Sequence, residues 1–310
     1  MFTLIIPHHN QPQLLERLLR SLPVRNDLQV VVVDDASGTE CATQLDDLKG
    51  AFPAVEFVML PCNRGGGFAR NEGLKRAKGE WVFFADADDC FLTDALDGLL
   101  DQQEHWKTAD LVFFGAKSVD DDTGMPSWRA DRLNWMMAQE GKVREQLLRY
   151  QHSEPWCKLV RRDLIERNGL AFDESLILND VRFSYCVGHH ATKVMVDERV
   201  CYCVCDRQRS VGKRISSERK KDYTRVMAEA NRFFAEQGLP YRYKRVYRPL
   251  VFSFMKGEWQ DARTCWQELR QSGESALSVV LNVWLYPLWL IQWALRKRVY
   301  RRKRITSSPS

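Results

Sequence analysis

The chain reads WVFFADADD from Trp81 to Asp89, an apolar run that ends in three carboxylates. Short runs of Val, Ile and Phe that are apolar on both faces are typical of buried parallel strands. Runs of this kind recur along the first part of the sequence. They predict strands at Thr3–Pro7, Gln29–Asp34, Val55–Leu60, Trp81–Asp86 and Leu111–Gly115.

Helical patterns separate these predicted strands. A leucine stripe over Leu14–Leu22 predicts an amphipathic helix, with Asn10 as its N-cap and Pro12 in its first turn. Further helices are predicted at 68–78 and 93–105. Repeated strand–helix units predict an open, mainly parallel α/β sheet flanked by helices. Ligands of such sheets bind at the carboxyl ends of the strands.

The composition is that of an ordinary globular protein. The 310 residues are 45% hydrophobic and 28% charged, which excludes a largely disordered chain, a collagen-like fibre and a polytopic membrane protein. The net charge of +5 raises the question of nucleic-acid binding. Seven basic residues lie within 296–304, however, and removing their charges turns +5 into −2. The sequence therefore predicts no nucleic-acid partner.

The nine cysteines are widely spread and form no CxxC pair, so the spacing indicates no zinc site. Cys201, Cys203 and Cys205 alternate, which on a strand places them on one face. Buried reduced thiols are the favoured interpretation. The N-terminal residues show no signal-peptide pattern, and we therefore expect a cytoplasmic protein.

Two acidic clusters follow predicted strands. Asp34 and Asp35 form the first, and Asp86, Asp88 and Asp89 form the second. One such cluster is about as often a solvated loop as a ligand site. Two in one sheet favour a metal–nucleotide site, because Mg²⁺ takes few carboxylates and completes its shell with water and phosphate oxygens.

Four motifs resemble family 2 glycosyltransferases, in the same order and at similar spacing. They are Ile6–Asn10, Val33–Ser37, Asn63–Gly73 and Ala77–Asp89, and the resemblance covers about residues 1–120. Further along, Trp156–Ile165 and Asn179–Phe183 resemble the acceptor half of bacterial surface-polysaccharide members. That family usually has a Glu where this chain has Asn179, which puts the donor preference in question.

The resemblance implies a GT-A fold, which binds a nucleotide-diphospho-sugar and transfers the sugar with inversion, assisted by Mg²⁺ or Mn²⁺. It assigns Asp180 as the general base, Asp88 as a metal ligand, and Asp86 as a ligand of the metal or the ribose. Lys158, Arg207 and Arg209 are candidate contacts of the diphosphate or the acceptor. The implied donor-binding set is Pro7, Asn10, Asp34, Asp35, Arg70, Asn71, Asp86 and Asp89.

Gly65-Gly66-Gly67 opens the predicted helix at 68–78. Backbone N–H groups at a helix start can bind phosphate. The triplet matches neither common phosphate-binding motif, so a tight turn is the favoured interpretation.

The predicted organisation has four parts. A nucleotide-sugar half covers 1–118, an acceptor half 119–215, a helical extension 216–275 and a membrane-associating segment 276–310. Within the last part, Ala276–Leu295 is almost wholly apolar and rich in Trp, and it is followed by the basic cluster.

We expect Ala276–Arg304 to bind an anionic membrane surface, with each Lys or Arg contributing about 1 kcal/mol. Lying on the surface is favoured over spanning, because Pro287 interrupts the apolar run. The expected location is therefore the cytoplasmic face of the plasma membrane, with the protein bound peripherally. A buried helix that packs on the catalytic domain is the alternative for this segment.

The predicted reaction moves one sugar, from a UDP-sugar by preference, to a lipid-linked or oligosaccharide acceptor. By resemblance, the product is lipopolysaccharide, capsule or another surface polysaccharide. Two alternatives are a nucleotidyltransferase that makes a nucleotide-sugar and a non-catalytic, membrane-bound partner of another transferase. The first alternative calls for a basic, glycine-rich loop after the first strand, where this chain has Pro7–Asn10.

Overall fold

Eight strands form one sheet in the described part of the chain, which is residues 1–207 and 216–287 of a computed structural model. The sheet order is β3-β2-β1-β4-β7-β6-β8-β5. The strands are β1 Phe2–His8, β2 Leu28–Asp34, β3 Val55–Met59, β4 Trp81–Phe84, β5 Cys90–Phe91, β6 Leu111–Asp120, β7 Lys158–Arg161 and β8 Val194–Asp206.

The five predicted strands are confirmed as β1, β2, β3, β4 and β6. Strands β1 to β4 pair in parallel, with Ile5 opposite Val31 on one side and Phe84 on the other. β2 and β3 extend the sheet on one side of β1, and β4 extends it on the other. The strand order therefore reverses between β1 and β4. A crevice at such a switch point, at the carboxyl ends of the strands, is where open α/β sheets bind ligands.

The far half of the sheet is mixed. β7 runs antiparallel to both β4 and β6, whereas β6 and β8 pair in parallel. The sheet is thus mainly parallel, as expected. β6 continues to Asp120, beyond the predicted end at Gly115, because its pairing with β8 resumes after an irregularity at Gly115. At the end of β6, Asp120 accepts hydrogen bonds from the backbone N–H and the hydroxyl of Thr123, which closes an acidic turn.

Helices cover the connections between these strands. The predicted N-cap at Asn10 is wrong. The first helix is Pro12–Arg20, and its cap position is Gln11. Asn10 has a φ of 56° and accepts a hydrogen bond from Gly38 N–H. Two helices, Asp131–Met137 and Gly141–Gln151, lie between β6 and β7. The helices are α1 Pro12–Arg20, α2 Ala42–Ala51, α3 Gly66–Leu74, α4 Thr93–Leu100, α5 Asp131–Met137, α6 Gly141–Gln151, α7 Arg162–Arg167 and α8 Val181–His190.

One glycine allows α3 to pack closely on β1. A Cβ at Gly73 would lie 2.4 Å from the Cγ2 of Ile5, so a larger residue there would force the helix away from the strand. The interior between these elements is aromatic, with Trp81 and Trp106 in an edge contact at 5.2 Å and both almost fully buried. This contact lies at the amino end of β4, and the acidic clusters lie at the opposite edge of the sheet.

The chain divides into two units, one holding the described residues up to 207 and the other holding 216–287. The second unit contains α9 Ser217–Glu236, α10 Arg248–Met255, α11 Trp259–Gln271 and a helix over 276–287. Gly257, with a φ of 71°, separates α10 from α11. The predicted border between donor and acceptor halves at 118/119 stays a prediction.

Candidate functional site

The loops that follow β1, β2 and β4 meet at the carboxyl edge of the sheet, beside the switch point. They carry most of the polar residues that the sequence singled out. The first acidic cluster lies here in a buried setting. Asp34 Oδ1 lies 2.7 Å from His8 Nδ1, and Asp34 also accepts hydrogen bonds from the Ser37 backbone N–H and hydroxyl.

Burial alone would raise the pKa of Asp34, but the hydrogen bonds from His8 and Ser37 outweigh it, and the pKa lies below its ordinary value. Asp35 is also buried, and its two oxygens accept hydrogen bonds from the backbone N–H groups of Arg64 and Gly65 at 2.8 and 2.6 Å. All four carboxylate oxygens of this cluster thus bind protein donors. They hold the loops in place.

The glycine triplet forms the predicted turn. Gly65 has a φ of 89°, which favours glycine, and its backbone N–H binds Asp35. A Cβ at Gly67 would lie 2.0 Å from the carbonyl oxygen of Asp173. Small residues are therefore needed where the start of α3 approaches the 173–180 loop.

The second acidic cluster is more open. The side chains of Asp86 and Asp88 are 36% and 37% exposed. Asp86 accepts a hydrogen bond from Arg70 Nη2 at 2.6 Å, and the other terminal nitrogen of Arg70 donates to Asn179 Oδ1 at 3.0 Å. The buried Arg70 guanidinium therefore joins the segment after β4 to the residue that precedes Asp180.

Asp88 lies at the opposite side of the cluster. Its Oδ2 accepts a hydrogen bond from Arg207 Nη2 at 2.6 Å, and the same nitrogen donates to Gln11 Oε1 at 3.1 Å. Arg17 donates to the backbone carbonyl of Asp88 and to the carboxylate of Asp121. Two arginines thus bind Asp88, Arg207 at its carboxylate and Arg17 at its backbone carbonyl.

Asp89 differs from its neighbours because it is buried. It accepts hydrogen bonds from the Tyr202 hydroxyl at 2.7 Å and from the Cys205 backbone N–H at 2.8 Å. Burial, and then the negative charges of Asp86 and Asp88, raise the pKa of Asp89 well above its ordinary value. Asp89 ties the segment after β4 to β8.

Asp180 is the residue before α8, and its side chain makes no capping hydrogen bond to that helix. Burial is the main cause that raises the pKa of Asp180 to about 6, and the charges of Glu154 and Asp86 add to it against the opposing effect of Arg70. A carboxylate with a raised pKa is a better proton acceptor near neutral pH.

A small polar network lies under Asp180. The Lys158 ammonium is 1% exposed and donates to the backbone carbonyls of His152 and Glu154 at 2.8 and 2.6 Å. Burial lowers the pKa of Lys158 to about 7. The Glu154 carboxylate lies 3.2 Å from His152 Nδ1, and the other ring nitrogen of His152 lies 2.9 Å from the carbonyl of Trp156.

The structure places the remaining predicted site residues as follows. Asn71 makes two hydrogen bonds with the backbone of Phe172, at 2.8 and 2.9 Å, and so links α3 to the loop before α8. Pro7 lies on β1, one residue before its end. Arg209 lies outside the described residues.

Four residues at the site were missed by the sequence reasoning. Glu154 lies two residues before Trp156, where the segment that resembles the acceptor half of the family begins. Its closeness to that segment could have marked it as a site residue. No sequence motif marks Arg17, His152 or Tyr202. Their polar atoms reach the site only through contacts with residues that are close in the fold.

The donor set of the second cluster fits a hard divalent cation. Asp86 and Asp88 are partly exposed carboxylates whose negative charge is at present balanced by arginines. Mg²⁺ typically uses one or two carboxylates and takes its other ligands from water and substrate phosphates. Two half-exposed carboxylates at a sheet edge meet that requirement.

The sheet order, the carboxylates at the switch point and the mixed far half of the sheet define the GT-A class of glycosyltransferase folds. A family model described as "Glycosyl transferase family 2" matches residues 3–169. This is more than half of the chain, and the chain belongs to that family.

Two curated relatives match parts of the chain. The chain is 27% identical over 210 residues to the uncharacterized glycosyltransferase EpsJ of Bacillus subtilis, covering 64% of this chain and 59% of EpsJ. It is 26% identical over 187 residues to the succinoglycan biosynthesis protein ExoO of Rhizobium meliloti, covering 57% and 52%. The chain thus spans little more than half the length of these relatives.

Solved structures show the same fold. The structure is similar to that of an S. aureus TarS fragment in complex with UDP-GlcNAc, with a TM-score of 0.59, 20% identity, and 87% and 91% of the two chains covered. It is also similar to a mannosyltransferase from Pyrobaculum calidifontis in complex with GDP-Man and Mn²⁺, with a TM-score of 0.51, 18% identity, and 98% and 86% covered.

Proposed function

We propose that this protein transfers one sugar, with inversion, from a nucleotide-diphospho-sugar to a glycan or lipid-linked acceptor in surface-polysaccharide synthesis. One observation carries the proposal. The guanidinium of Arg70 joins Asp86 to Asn179, so the exposed carboxylates after β4 and the basic carboxylate of Asp180 belong to one site. A transferase needs both functions side by side, one for the leaving diphosphate and one for the incoming hydroxyl.

The donor half of the proposal assigns Asp88 and Asp86 to a divalent cation, Mg²⁺ or Mn²⁺. Bound there, such a cation would supply positive charge to the departing diphosphate. Arg207 lies 2.6 Å from Asp88 and is the residue best placed to contact the same diphosphate, since a guanidinium binds phosphate oxygens in pairs. Lys158 acts indirectly in this proposal, because its ammonium binds two backbone carbonyls below the site.

The first acidic cluster shapes the nucleotide end of the site. Asp34 binds His8 and Asn10 binds Gly38, and these contacts join the end of β1 and the loop after it to the loop after β2. Asp35 joins the loop after β2 to the start of α3. We propose a UDP-sugar as the donor. The similar TarS fragment was solved with UDP-GlcNAc, and its fold likeness supports the nucleotide end of the proposal without identifying the sugar.

Asp180 is the proposed general base. The acceptor hydroxyl oxygen attacks the anomeric carbon and forms the new C–O bond, while the bond from that carbon to the diphosphate oxygen breaks. The nucleoside diphosphate leaves with the electron pair, and the hydroxyl proton moves to the Asp180 carboxylate. Because the attack comes opposite the leaving group, the anomeric configuration inverts. No covalent sugar–protein bond is needed.

A donor panel tests the proposal. The full chain is incubated with UDP-, GDP- and dTDP-sugars, with and without Mg²⁺ or Mn²⁺, while donor hydrolysis and thermal stabilisation are measured. We expect one nucleotide class to stabilise the protein and to be hydrolysed slowly in a cation-dependent way. If no donor binds and EDTA changes nothing, the proposal fails. Formation of a nucleotide-sugar from a nucleoside triphosphate would support the nucleotidyltransferase alternative.

The second unit supports peripheral membrane association. No helix among the described residues has both the length and the apolar character that a bilayer crossing requires. The helix at 276–287 nevertheless exposes Leu277, Leu281 and Trp284, with Trp284 80% exposed, and buries Val279 and Tyr286. Its outward stripe is therefore apolar, and an interfacial helix presents such a stripe to lipid.

We propose an anionic membrane as the partner of this stripe, since seven basic residues follow in the sequence at 296–304. Those residues, and the second half of the predicted segment Ala276–Leu295, lie outside the described residues. The test is co-sedimentation with vesicles of phosphatidylcholine alone or mixed with phosphatidylglycerol.

The vesicle test has a matched control. We expect Trp284→Ser to reduce binding to the anionic vesicles. Trp135→Ser, at a 43% exposed tryptophan in the first unit, should leave it unchanged. Equal binding by all three proteins would overturn the membrane proposal and leave the transferase proposal intact.

A further inference from the structure

A cluster of three cysteines lies beside the donor site, at a place that the glycosyltransferase proposal does not use. β5 is a short strand that begins at Cys90, directly after Asp89, and it pairs antiparallel with β8 so that Cys90 lies opposite Cys203. Cys205 lies on the same face of β8, two residues on. The three Sγ atoms all lie within 4.8 Å of one another, and those of Cys90 and Cys205 are 4.0 Å apart.

These distances suit a thiophilic cation. A Zn–S bond is about 2.3 Å long, so two thiolates on a tetrahedral ion lie about 3.8 Å apart, and on a trigonal ion about 4.0 Å. The three cysteines therefore need only small side-chain adjustments to share one ion. All three are free thiols, and soft sulfur ligands select zinc-class ions over Mg²⁺.

The surroundings also suit a charged centre. Three thiolates around a divalent ion carry a net charge of −1, and Arg17 and Lys117 both place positive charge near Cys90. Cys203 and Cys205 are buried, whereas Cys90 is partly exposed. Solvent can thus reach the cluster from the Cys90 side, which gives the ion a route in and leaves room for a water as fourth ligand.

We propose that Cys90, Cys203 and Cys205 form a binding site for a thiophilic divalent cation of the zinc class, separate from the carboxylate site for Mg²⁺ or Mn²⁺. The spacing in the sequence indicates no zinc site, because Cys90 lies 115 residues from Cys205 and only the pairing of β5 with β8 unites them.

The proposed ion has a structural consequence for the donor site. Asp89, the residue before Cys90, already binds the backbone N–H of Cys205. A cation held by Cys90, Cys203 and Cys205 would fasten the same two segments a second time. It would therefore brace the stretch that carries Asp86 and Asp88, without touching the donor itself.

The experiment uses the reduced full chain without donor. Co²⁺ serves as the probe, since thiolate coordination gives a ligand-to-metal charge-transfer band, and Zn²⁺ is then added as competitor. We expect one Co²⁺ per chain with a thiolate band, displacement by stoichiometric Zn²⁺, and no displacement by a large excess of Mg²⁺. Absence of the thiolate band would overturn the proposal.

Variants locate the site. Cys90→Ser and Cys203→Ser should each weaken the affinity for Zn²⁺ by at least about tenfold. The matched control is Cys201→Ser, on the same strand but with its Sγ directed at the carbonyl of Ala95. Asp88→Asn is the control for the carboxylate site. Both controls should keep the thiolate band, and its loss in Cys201→Ser to the same degree as in Cys90→Ser would contradict the proposal.

A second measurement needs no variant, so misfolding cannot hide the answer. The unmodified chain is alkylated with and without Zn²⁺, and each cysteine is quantified by mass spectrometry. Zn²⁺ should protect the partly exposed Cys90 and leave the exposed Cys62 as reactive as before. Equal alkylation of Cys90 in both samples would overturn the proposal. Because no donor or transfer activity enters these measurements, their outcome is independent of the proposed function.

Discussion

The two acidic clusters that follow β2 and β4 look alike in sequence, yet the fold uses their carboxylates differently. Asp34 and Asp35 are 1% and 3% exposed, and every oxygen accepts a hydrogen bond from the protein. The side chains of Asp86 and Asp88 are more than one third exposed, and within the described residues the carboxylate of each pairs with one arginine. The first cluster is built as a scaffold, and the second is open to an incoming cation or ligand.

The difference shows that a carboxylate at a strand end is not a site by its position alone. What matters is whether protein donors already occupy its oxygens. A carboxylate whose oxygens are all bound by fixed donors stabilises a loop, whereas a partly exposed carboxylate that is paired with an arginine keeps an open side for a cation or a ligand. The predictions below test this contrast between the first cluster and the open side of the site.

The largest effect is expected at Asp180, the proposed general base. Asp180→Asn should lower the rate of sugar transfer by about 10²–10⁴-fold, because the amide cannot accept the proton. Donor affinity, measured by calorimetry, should change little. The control is Glu174→Gln, at an exposed carboxylate six positions earlier. A large loss of donor binding in Asp180→Asn would remove this residue from the base role.

The next effect concerns the cation. Asp88→Asn should make donor binding insensitive to Mg²⁺ and EDTA, since the variant loses a carboxylate ligand. Asp34→Asn, in the buried cluster, should keep the cation dependence of the parent. Donor titrations at several Mg²⁺ concentrations measure both. If Asp34→Asn also abolished the cation dependence, the contrast between the clusters would be wrong.

The third prediction concerns stability, for which Asp34→Asn should have the larger effect and Asp88→Asn the smaller. Asp34→Asn should lower the free energy of unfolding by about 1.5–3 kcal/mol, because buried hydrogen bonds to a charged group are lost. Asp88→Asn should change it by no more than about 1 kcal/mol, since its ion pair is partly exposed. Urea unfolding followed by fluorescence compares them.

At low pH, the contribution of Asp34 to the free energy of unfolding should disappear. The folded-state pKa of Asp34 lies below its ordinary value, so its contribution to stability is full above about pH 4 and is lost as the pH falls through the folded value. The gap between Asp34→Asn and the parent should therefore narrow in urea titrations below about pH 4. A gap that stays constant there would argue against an ionised Asp34.

The smallest expected effect is a change in the rate of transfer with pH. Burial raises the pKa of Asp180 to about 6, and a base must be deprotonated to act. The rate of transfer should therefore fall as the pH decreases through about 6, by about twofold at the pKa itself. Donor binding, followed in parallel, should keep its strength at pH 6. A rate that stays level down to pH 5 would contradict the assignment.

Much of the fold followed from local patterns. The five predicted strands are present because short runs rich in Val, Ile and Phe favour extended backbone, and a sheet covered on both faces can bury them. The helix boundaries were less accurate, and Asn10 illustrates the reason. Its side chain bonds to Gly38, across the gap between the loops after β1 and β2, instead of capping α1. Such a contact is decided by the neighbour in space.

The sequence alone determined the family, the strand–helix alternation and the position of both acidic clusters at strand ends. Only the tertiary structure decided which carboxylates are open, how Arg70 joins residues 16 and 109 positions away, and that Cys90 meets Cys203 and Cys205. The physical reason is range. Hydrophobic periodicity depends on residues that are close in the sequence. Charge pairing and ligand clusters depend on the strand order, which brings distant residues to one edge of the sheet.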